Sequence, residues 1–269
     1  MTDRYAVIGN PIAHSKSPLI HKMFAEQTGQ DVSYEAVLAP LDGFGATVER
    51  LRKEGFKGCN VTVPFKQSAY QLSNHKQYMS YDVVHARSAN TLVFKSDGVH
   101  LHNTDGIGLI RDIQYNRGVP FRGKRVLLMG AGGAARGVLS PLRDAGANIT
   151  VANRTVDKAI ILAERFVVSS CSYADLAGKQ FDVIINATSS GLSDEMPPLP
   201  DDIFAPGALA YDMMYGRETP FMKFAREHGA TVVSDGLGML VEQAAESFFI
   251  WRGMRPGTKP VIAALRKQQ

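Results

Sequence analysis

The chain has 269 residues, 45% of them hydrophobic, which is enough for two compact domains of ordinary size. Its formal net charge of +4 is spread without a dense basic run, so a small anionic molecule explains it as well as nucleic acid would, and nucleic acid is not expected as a partner. Cys59 and Cys171 lie far apart and outside any Cys/His cluster, which argues against a disulfide framework and a metal site; the absence of a charged-then-apolar leader or a long apolar run argues for a soluble, cytoplasmic protein without a membrane partner.

Residues 5–8 read as a short buried strand, ended by Gly9-Asn10-Pro11. Ser17-Pro18 then resembles an N-cap followed by proline at the first helical position, opening a helix to about residue 28. The Ser15-Lys16-Ser17 loop therefore offers two hydroxyls, backbone N–H groups and a positive dipole end, a combination that would hold a carboxylate. Helix capping by Ser17 is the plainer role. Residues 32–37 are the next strand, 42–54 a helix, and 57–63 a β-rich run stopped by Pro64. That is a βαβαβ unit without a glycine fingerprint, whose ligands belong at the carboxyl edge of the strands, and Asn60, Thr62 and Lys66 fall at or just after that edge. A lysine on a first helical turn opposes the helix dipole, so Lys66 needs either an anion or open solvent.

Residues 67–88 are polar and read as one or two helices. Residues 89–94 and 99–101 are expected to pair as a hairpin across Ser96-Asp97-Gly98. His102-Asn103-Thr104-Asp105-Gly106 is a polar loop opening a helix to about residue 115, with Asp105 available as its cap, and a domain boundary is placed here, at 101/102.

In KRVLLMGAGGAARG, residues 124–137, a buried strand breaks into Gly130-Ala131-Gly132-Gly133-Ala134 before a helix begins. Gly130, Gly132 and Ala135 fill the G-x-G-x-x-G/A spacing, in which small residues let the backbone approach a pyrophosphate at a helix N-terminus. A second strand, 148–152, ends about 20 residues on in Asn153-Arg154-Thr155, where a ribose-reading residue belongs. There is no carboxylate there to accept from a 2′-hydroxyl; Arg154 and Lys158 are cationic, and the charge favours NADP over NAD. Beyond it come a helix over 156–166, a strand over 182–186 ending in Ala187-Thr188-Ser189-Ser190-Gly191, a proline-rich surface connection over 197–206, and a strand over 208–213 leading to Met214-Tyr215-Gly216. Thr219-Pro220 caps the next helix, 231–234 is a last strand, and Asp235-Gly236-Leu237-Gly238 releases the chain into an apolar helix over 239–251 and a terminal one over 259–267. Gln243 lies on that apolar helix either as a satisfied core-edge amide or as a ligand hydrogen-bonder.

Ser15-Lys16-Ser17, the N-V-T-V-P-F-K run from Asn60 to Lys66, Asn90-Thr91, Asn103-Thr104-Asp105-Gly106, the glycine loop, Asn153-Arg154-Thr155 and the D-G-L-G-M-L-V-E-Q-A run from Asp235 to Ala244 resemble, in order and over essentially the whole chain, shikimate dehydrogenase. The resemblance implies an α/β protein of two open domains: an N-terminal substrate domain, residues 1–101 plus 237–269, and a C-terminal Rossmann NADP-binding domain, residues 102–236, with the active site in the cleft between them. It implies NADP-linked reversible reduction of 3-dehydroshikimate to shikimate, no metal, and a small-molecule partner, with a homodimer allowed. Carried over residue by residue, Ser15 and Ser17 hold the carboxylate, Thr62, Asn90, Asp105 and Gln243 contact ring hydroxyls, and Tyr215 lies at the substrate edge. Lys66 and Asp105 are the catalytic pair. Negative charge building on a ketone oxygen needs a cation or proton donor within reach, and Asp105 orients Lys66 and keeps it charged. Arg154 takes the 2′-phosphate with Asn153, Thr155 and Lys158 nearby, and Thr188, Met213 and Gly236 lie on the nicotinamide side.

The chain departs from the family's usual pattern at Arg87-Ser88-Ala89, at His102, where an acidic residue is common, and over 71–88. These departures flank Asn90 and Asp105. The rival readings are a paralogous quinate/shikimate or shikimate-dehydrogenase-like hydroxy-acid dehydrogenase and a non-catalytic NADP-binding sensor. The first is disfavoured by Arg154 and the second by retention of Lys66 and Asp105.

Overall fold

The computed structural model describes residues 2–73, 75–188 and 196–268, so Ser189, Ser190 and Gly191 lie outside the described residues. The chain divides into two compact units, one formed by Met1–Gly108 with Val241–Gln268 and the other by Leu109–Leu240. The sequence put these changes at 101/102 and 236/237. Both fall instead inside helices, because the first turn of one helix and the later turns of another pack with the first unit.

In the first unit the order is β1 (Asp3–Gly9), α1 (Ser17–Thr28), β2 (Val32–Leu38), α2 (Phe44–Lys53), β3 (Gly58–Val61), α3 (Lys66–Tyr70), α4 (Tyr81–Ala86), β4 (Thr91–Lys95), β5 (Gly98–His102) and the start of α5 (Asp105–Arg111). A single 3₁₀ turn, Lys76–Tyr78, fills the polar stretch between α3 and α4. The sheet order is β2-β1-β3-β4-β5. Strands β2, β1 and β3 run parallel, whereas β4 and β5 form the expected antiparallel hairpin. One face is closed by a core that includes Ile8, Phe44, Leu51, Phe65, Leu92 and Leu101.

Ser17 is not the N-cap of α1. Lys16 occupies that position, Ser17 is the first helical residue, and it is the Ser15 Oγ that accepts from the Ser17 N–H at 3.3 Å. Pro18 sits on the first turn as expected.

The second unit contains β6 (Arg125–Met129), α6 (Gly133–Asp144), β7 (Asn148–Ala152), α7 (Val156–Phe166), β8 (Ser169–Cys171), β9 (Phe181–Asn186), β10 (Phe204–Asp212), α8 (Pro220–Glu227), β11 (Val232–Ser234) and the start of α9 (Leu237–Arg252); α10 (Lys259–Arg266) returns to the first unit. Its six strands are all parallel, in the order β11-β10-β9-β6-β7-β8. This is the doubly wound order, and the strand sequence reverses between β6 and β9, where a nucleotide is expected at the carboxyl edge. Helix α7 shows how the packing is written: Ala159, Leu162, Ala163 and Phe166 recur at helical spacing and are the buried positions. The 197–206 stretch is only partly a surface connection. Ile203, Phe204 and Ala205 are buried because β10 begins at Phe204, and Pro206 and Gly207 fit within it where the pairing with β9 shifts register.

Candidate active site

The first unit gathers its polar residues at one sheet edge. Strand β3 delivers Thr62 and Lys66 just beyond its carboxyl end. Because β4 is antiparallel to β3 and β5 to β4, Asn90 before β4 and Asn103, Thr104 and Asp105 after β5 leave from that same edge. Strand β1 pairs in parallel with β3, so the loop carrying Ser15 and Ser17 leaves there too.

Lys66 Nζ donates to Asp105 Oδ2 at 2.6 Å. The Asp105 side chain is only 14% exposed and that of Lys66 33%. This resolves the lysine's opposition to the dipole of α3: the anion is Asp105. The carboxylate's other oxygen accepts from Asn90 Nδ2 at 2.9 Å, and the Asp105 N–H donates to Asn103 Oδ1 at 3.1 Å. Both oxygens thus receive donors, which holds the carboxylate in one orientation.

Behind this pair lies a buried amide and hydroxyl network. Asn90 Nδ2 also donates to Thr104 Oγ1 at 2.9 Å and to Gln243 Oε1 at 3.2 Å, while Asn90 Oδ1 accepts from the Thr104 N–H at 2.8 Å. Asn60 Nδ2 donates to the Asn90 carbonyl, Thr91 Oγ1 and Ser247 Oγ, and Asn60 Oδ1 accepts from the Tyr34 hydroxyl at 2.7 Å. Burial pushes the Tyr34 phenol well above its ordinary value, with a hydrogen bond from Ser17 pulling the other way. A chain of hydrogen-bonding groups therefore runs from Tyr34 through Asn60 and Asn90 to Asp105 and Lys66.

Gln243 reaches Asn90 because α9 lies close to α5. A Cβ on Gly108 would meet the Gln243 backbone nitrogen at 2.8 Å, so only glycine permits this approach. Beside the network, His21 stacks on Tyr34 at 4.1 Å and lies near Phe24, Phe248 and Trp251. Burial pushes its imidazole down to about 3, against a smaller opposing effect of Asn60. Cys59, which precedes Asn60 in β3, is a buried free thiol.

The second unit carries a pocket of about 930 Å³ at the carboxyl edge of its sheet. Gly130, Ala131, Gly132, Gly133 and Ala134 line it, as do Asn153, Arg154, Thr155, Lys158 and Thr188. Gly130 has φ +106°, a conformation that a side chain would strain. Gly132 precedes α6 in an extended conformation, with no side chain capping the helix. A Cβ on Gly132 or Gly133 would meet nothing within 4 Å, so this turn faces open space with the helix dipole behind it. No carboxylate appears among the described lining residues, whereas Arg154 and Lys158 do. The residues present fit a dinucleotide with a 2′-phosphate.

Met213 and Gly236 do not line this pocket but adjoin each other: a Cβ on Gly236 would meet the Met213 carbonyl oxygen at 2.3 Å. Tyr215 belongs to the second unit, in the segment after β10, and is 37% exposed. Ser15 and Thr62 share the sheet edge of the Lys66 group. Thr104, Ser247 and Tyr34 are site-building residues that sequence reasoning passed over. Ser247 had a signal: it follows Gln243 by one helical turn on an otherwise apolar face.

A doubly wound unit with a cationic dinucleotide pocket, and an open α/β unit presenting a lysine–carboxylate pair, together define a nicotinamide-dependent oxidoreductase of the NADP type. Three family models match: the shikimate dehydrogenase substrate binding domain over residues 7–92, shikimate / quinate 5-dehydrogenase over 113–193, and the shikimate 5′-dehydrogenase C-terminal domain over 236–266. The chain belongs to the shikimate dehydrogenase family, with an N-terminal substrate domain and a C-terminal NADP-binding domain. It is 57% identical over 270 residues to a shikimate dehydrogenase (NADP(+)) of Methylobacillus flagellatus, covering 98% of this chain and 99% of the relative. Among solved structures it resembles an Ael1 enzyme from Pseudomonas putida, with 47% identity, TM-score 0.93 and 98% of each chain covered. It also resembles the shikimate 5-dehydrogenase of Thermus thermophilus in complex with NADP(H) and shikimate, with 32% identity, TM-score 0.89 and 100% of each chain covered.

Proposed function

We propose that the protein catalyses the reversible NADP-dependent reduction of 3-dehydroshikimate to shikimate, a step of the shikimate pathway toward chorismate and the aromatic amino acids. The observation that carries the mechanism is the 2.6 Å contact between Lys66 and Asp105, locked by Asn90. NADPH, when bound, supplies the hydride. Negative charge then gathers on the substrate's carbonyl oxygen, and an ammonium within hydrogen-bond reach lowers the energy of that charge and can give up a proton to it. Asp105 takes one of the three Lys66 donors and leaves the others for substrate. In the reverse direction the same pair receives the hydroxyl proton.

Thr62, Asn90 and Gln243, with Asp105, bind the ring hydroxyls, and an Asn90–Gln243 contact already fixes two of these groups against each other. Ser15 and Ser17 hold the carboxylate at the N-terminus of α1, where the dipole favours an anion. Tyr215 borders the substrate. On the cofactor side the glycine turn from Gly130 to Ala134 takes the pyrophosphate, Arg154 with Asn153, Thr155 and Lys158 takes the 2′-phosphate, and Thr188, Met213 and Gly236 face the nicotinamide half. The lysine and arginine lining of the pocket, free of carboxylates among the described residues, supports NADP rather than NAD. In this reading the protein is cytoplasmic, with a homodimer allowed; no described helix is long and apolar enough to cross a membrane.

The test is initial-rate oxidation of shikimate and of quinate, each with NADP and NAD, followed by nicotinamide absorbance. Rapid turnover with shikimate and NADP alone is expected. Preferential turnover of quinate, or none with either acid despite NADPH binding, overturns the assignment.

A further inference from the structure

One fully buried carboxylate of the second unit belongs to neither the glycine turn nor the phosphate-reading residues. Asp212, the last residue of β10, is fully buried. Its Oδ2 accepts from Asn186 Nδ2 at 3.0 Å and from Thr219 Oγ1 at 2.6 Å, and its Oδ1 accepts from the Met214 N–H at 2.9 Å. Burial pushes this carboxyl up, while these three donors oppose it. A group that accepts three hydrogen bonds in the interior is suited to remain a carboxylate, which can only accept.

That restriction propagates. Since Asp212 can only accept, the amide of Asn186 must turn its nitrogen toward Asp212 and its oxygen away. Asn186 Oδ1 then accepts from the Thr188 N–H at 3.1 Å and from Thr188 Oγ1 at 2.7 Å. With its hydroxyl hydrogen committed to Asn186, Thr188 Oγ1 can meet a further donor only as an acceptor. Thr188 lines the dinucleotide pocket; Asn186 and Asp212 do not.

The topology says which half of a dinucleotide meets Thr188. Met129, at the end of β6, pairs with Ala152 on one side and Asn186 on the other. The phosphate-reading Arg154 follows β7, and Thr188 follows β9, so the two stand on opposite sides of the β6 glycine turn. A dinucleotide lying across that turn with its 2′-phosphate at β7 carries its nicotinamide nucleoside toward β9 and β10.

We infer that Asp212 and Asn186 are positioning residues: a buried relay that sets Thr188 as a hydrogen-bond acceptor for a donor on the nicotinamide nucleoside, a ribose hydroxyl or the carboxamide N–H. The inference rests on the proposed use of NADP. It assigns the relay no contact with the cofactor; Asp212 acts through Asn186, and Asn186 through Thr188.

The test uses equilibrium binding to the full-length chain, with NADPH and with adenosine 2′,5′-bisphosphate, a probe that occupies only the Arg154 side. Asp212→Asn lets the Asn186 amide turn over, and NADPH binding is expected to weaken roughly tenfold, the scale of one well-placed hydrogen bond. Thr188→Val, which keeps the shape and removes the acceptor, is expected to weaken NADPH comparably. Adenosine 2′,5′-bisphosphate binding is expected to be unchanged in both, which a general loss of the fold in Asp212→Asn would not allow. The double variant is expected to be no weaker than the worse single one, because both changes remove the same interaction. Unchanged NADPH binding in Asp212→Asn, equal weakening of the bisphosphate, or additive losses in the double variant would each overturn the relay. A wild-type chain that binds NADPH but does not turn over shikimate would defeat the proposed function and leave this test intact; one that binds no NADPH would defeat both.

Discussion

The two units solve the problem of holding a ligand in opposite ways. In the first, side chains hold one another: Lys66, Asp105, Asn90, Thr104, Gln243 and Asn60 are joined before any substrate arrives. In the second, the backbone does most of the holding, with a glycine turn, a helix N-terminus and two exposed cations around an open pocket. Chemistry at a carbonyl needs groups fixed to within a fraction of an ångström, and mutual hydrogen bonds among buried amides provide that. A pyrophosphate needs many N–H donors and no bulk, which glycine and a helix terminus provide. Single substitutions should therefore damage turnover in the first unit and affinity in the second.

Lys66→Ala tests the contrast most severely. Turnover should fall by roughly 10²-fold or more while NADPH binding persists, the signature of lost transition-state stabilisation; steady-state kinetics beside NADPH titration would show it, and near-normal kcat would remove Lys66 from the chemistry. Arg154→Ala should do the converse. It should weaken NADPH by about 1.5–3 kcal/mol, the range of charged hydrogen bonds, and leave NADH nearly untouched. An equal loss for both nucleotides would mean that Arg154 supports the fold rather than the 2′-phosphate.

Gly108→Ala sharpens the comparison from the backbone side. The added methyl collides with the Gln243 backbone, which must shift, and overpacking of this kind costs about 1–3 kcal/mol. The shikimate KM should rise through displaced Gln243 and Asn90 while NADPH affinity holds, and thermal unfolding should occur at lower temperature. A milder effect comes from His21. Its value in the fold is depressed from 6.5 to about 3, so it stays neutral there while the unfolded chain takes up a proton below 6.5. The stability it contributes is complete above pH 6.5 and is lost as the pH falls toward 3. Between pH 7 and 5.5 the loss should be about 1 kcal/mol from this group, and His21→Phe should remove that part of the slope in denaturant titrations.

Periodicity and turn chemistry made most of the fold legible: the β-α-β repeats, the β4–β5 hairpin, the glycine turn and the Thr219-Pro220 start of α8, where Thr219 does accept from the Met222 N–H. What escaped was tertiary in origin. Nothing local distinguishes a proline-rich connection from the start of a buried strand, so residues 203–205 were read as surface. Strand β8 is three residues long, too short to show a period. Ser17 looked like a cap because its composition matched; which serine accepts the N–H depends on how the loop after β1 turns. The site divides similarly. Lys66, Asp105 and Gln243 stood out as polar residues at strand ends or on an apolar face and Asn90 through the family resemblance, whereas Thr104 and Tyr34 matter only through partners far away in sequence.

The exposed placement of Arg154 and Lys158 has a consequence for how the enzyme responds to its surroundings. Charges in contact with water are screened by dissolved ions, and the screening length shrinks from about 30 Å at 0.01 M to about 8 Å at 0.15 M salt. The preference for a phosphorylated over an unphosphorylated nucleotide is therefore expected to narrow as ionic strength rises, while the buried Asn90 network keeps its geometry. Coenzyme choice in this protein is a property shared between the chain and its electrolyte.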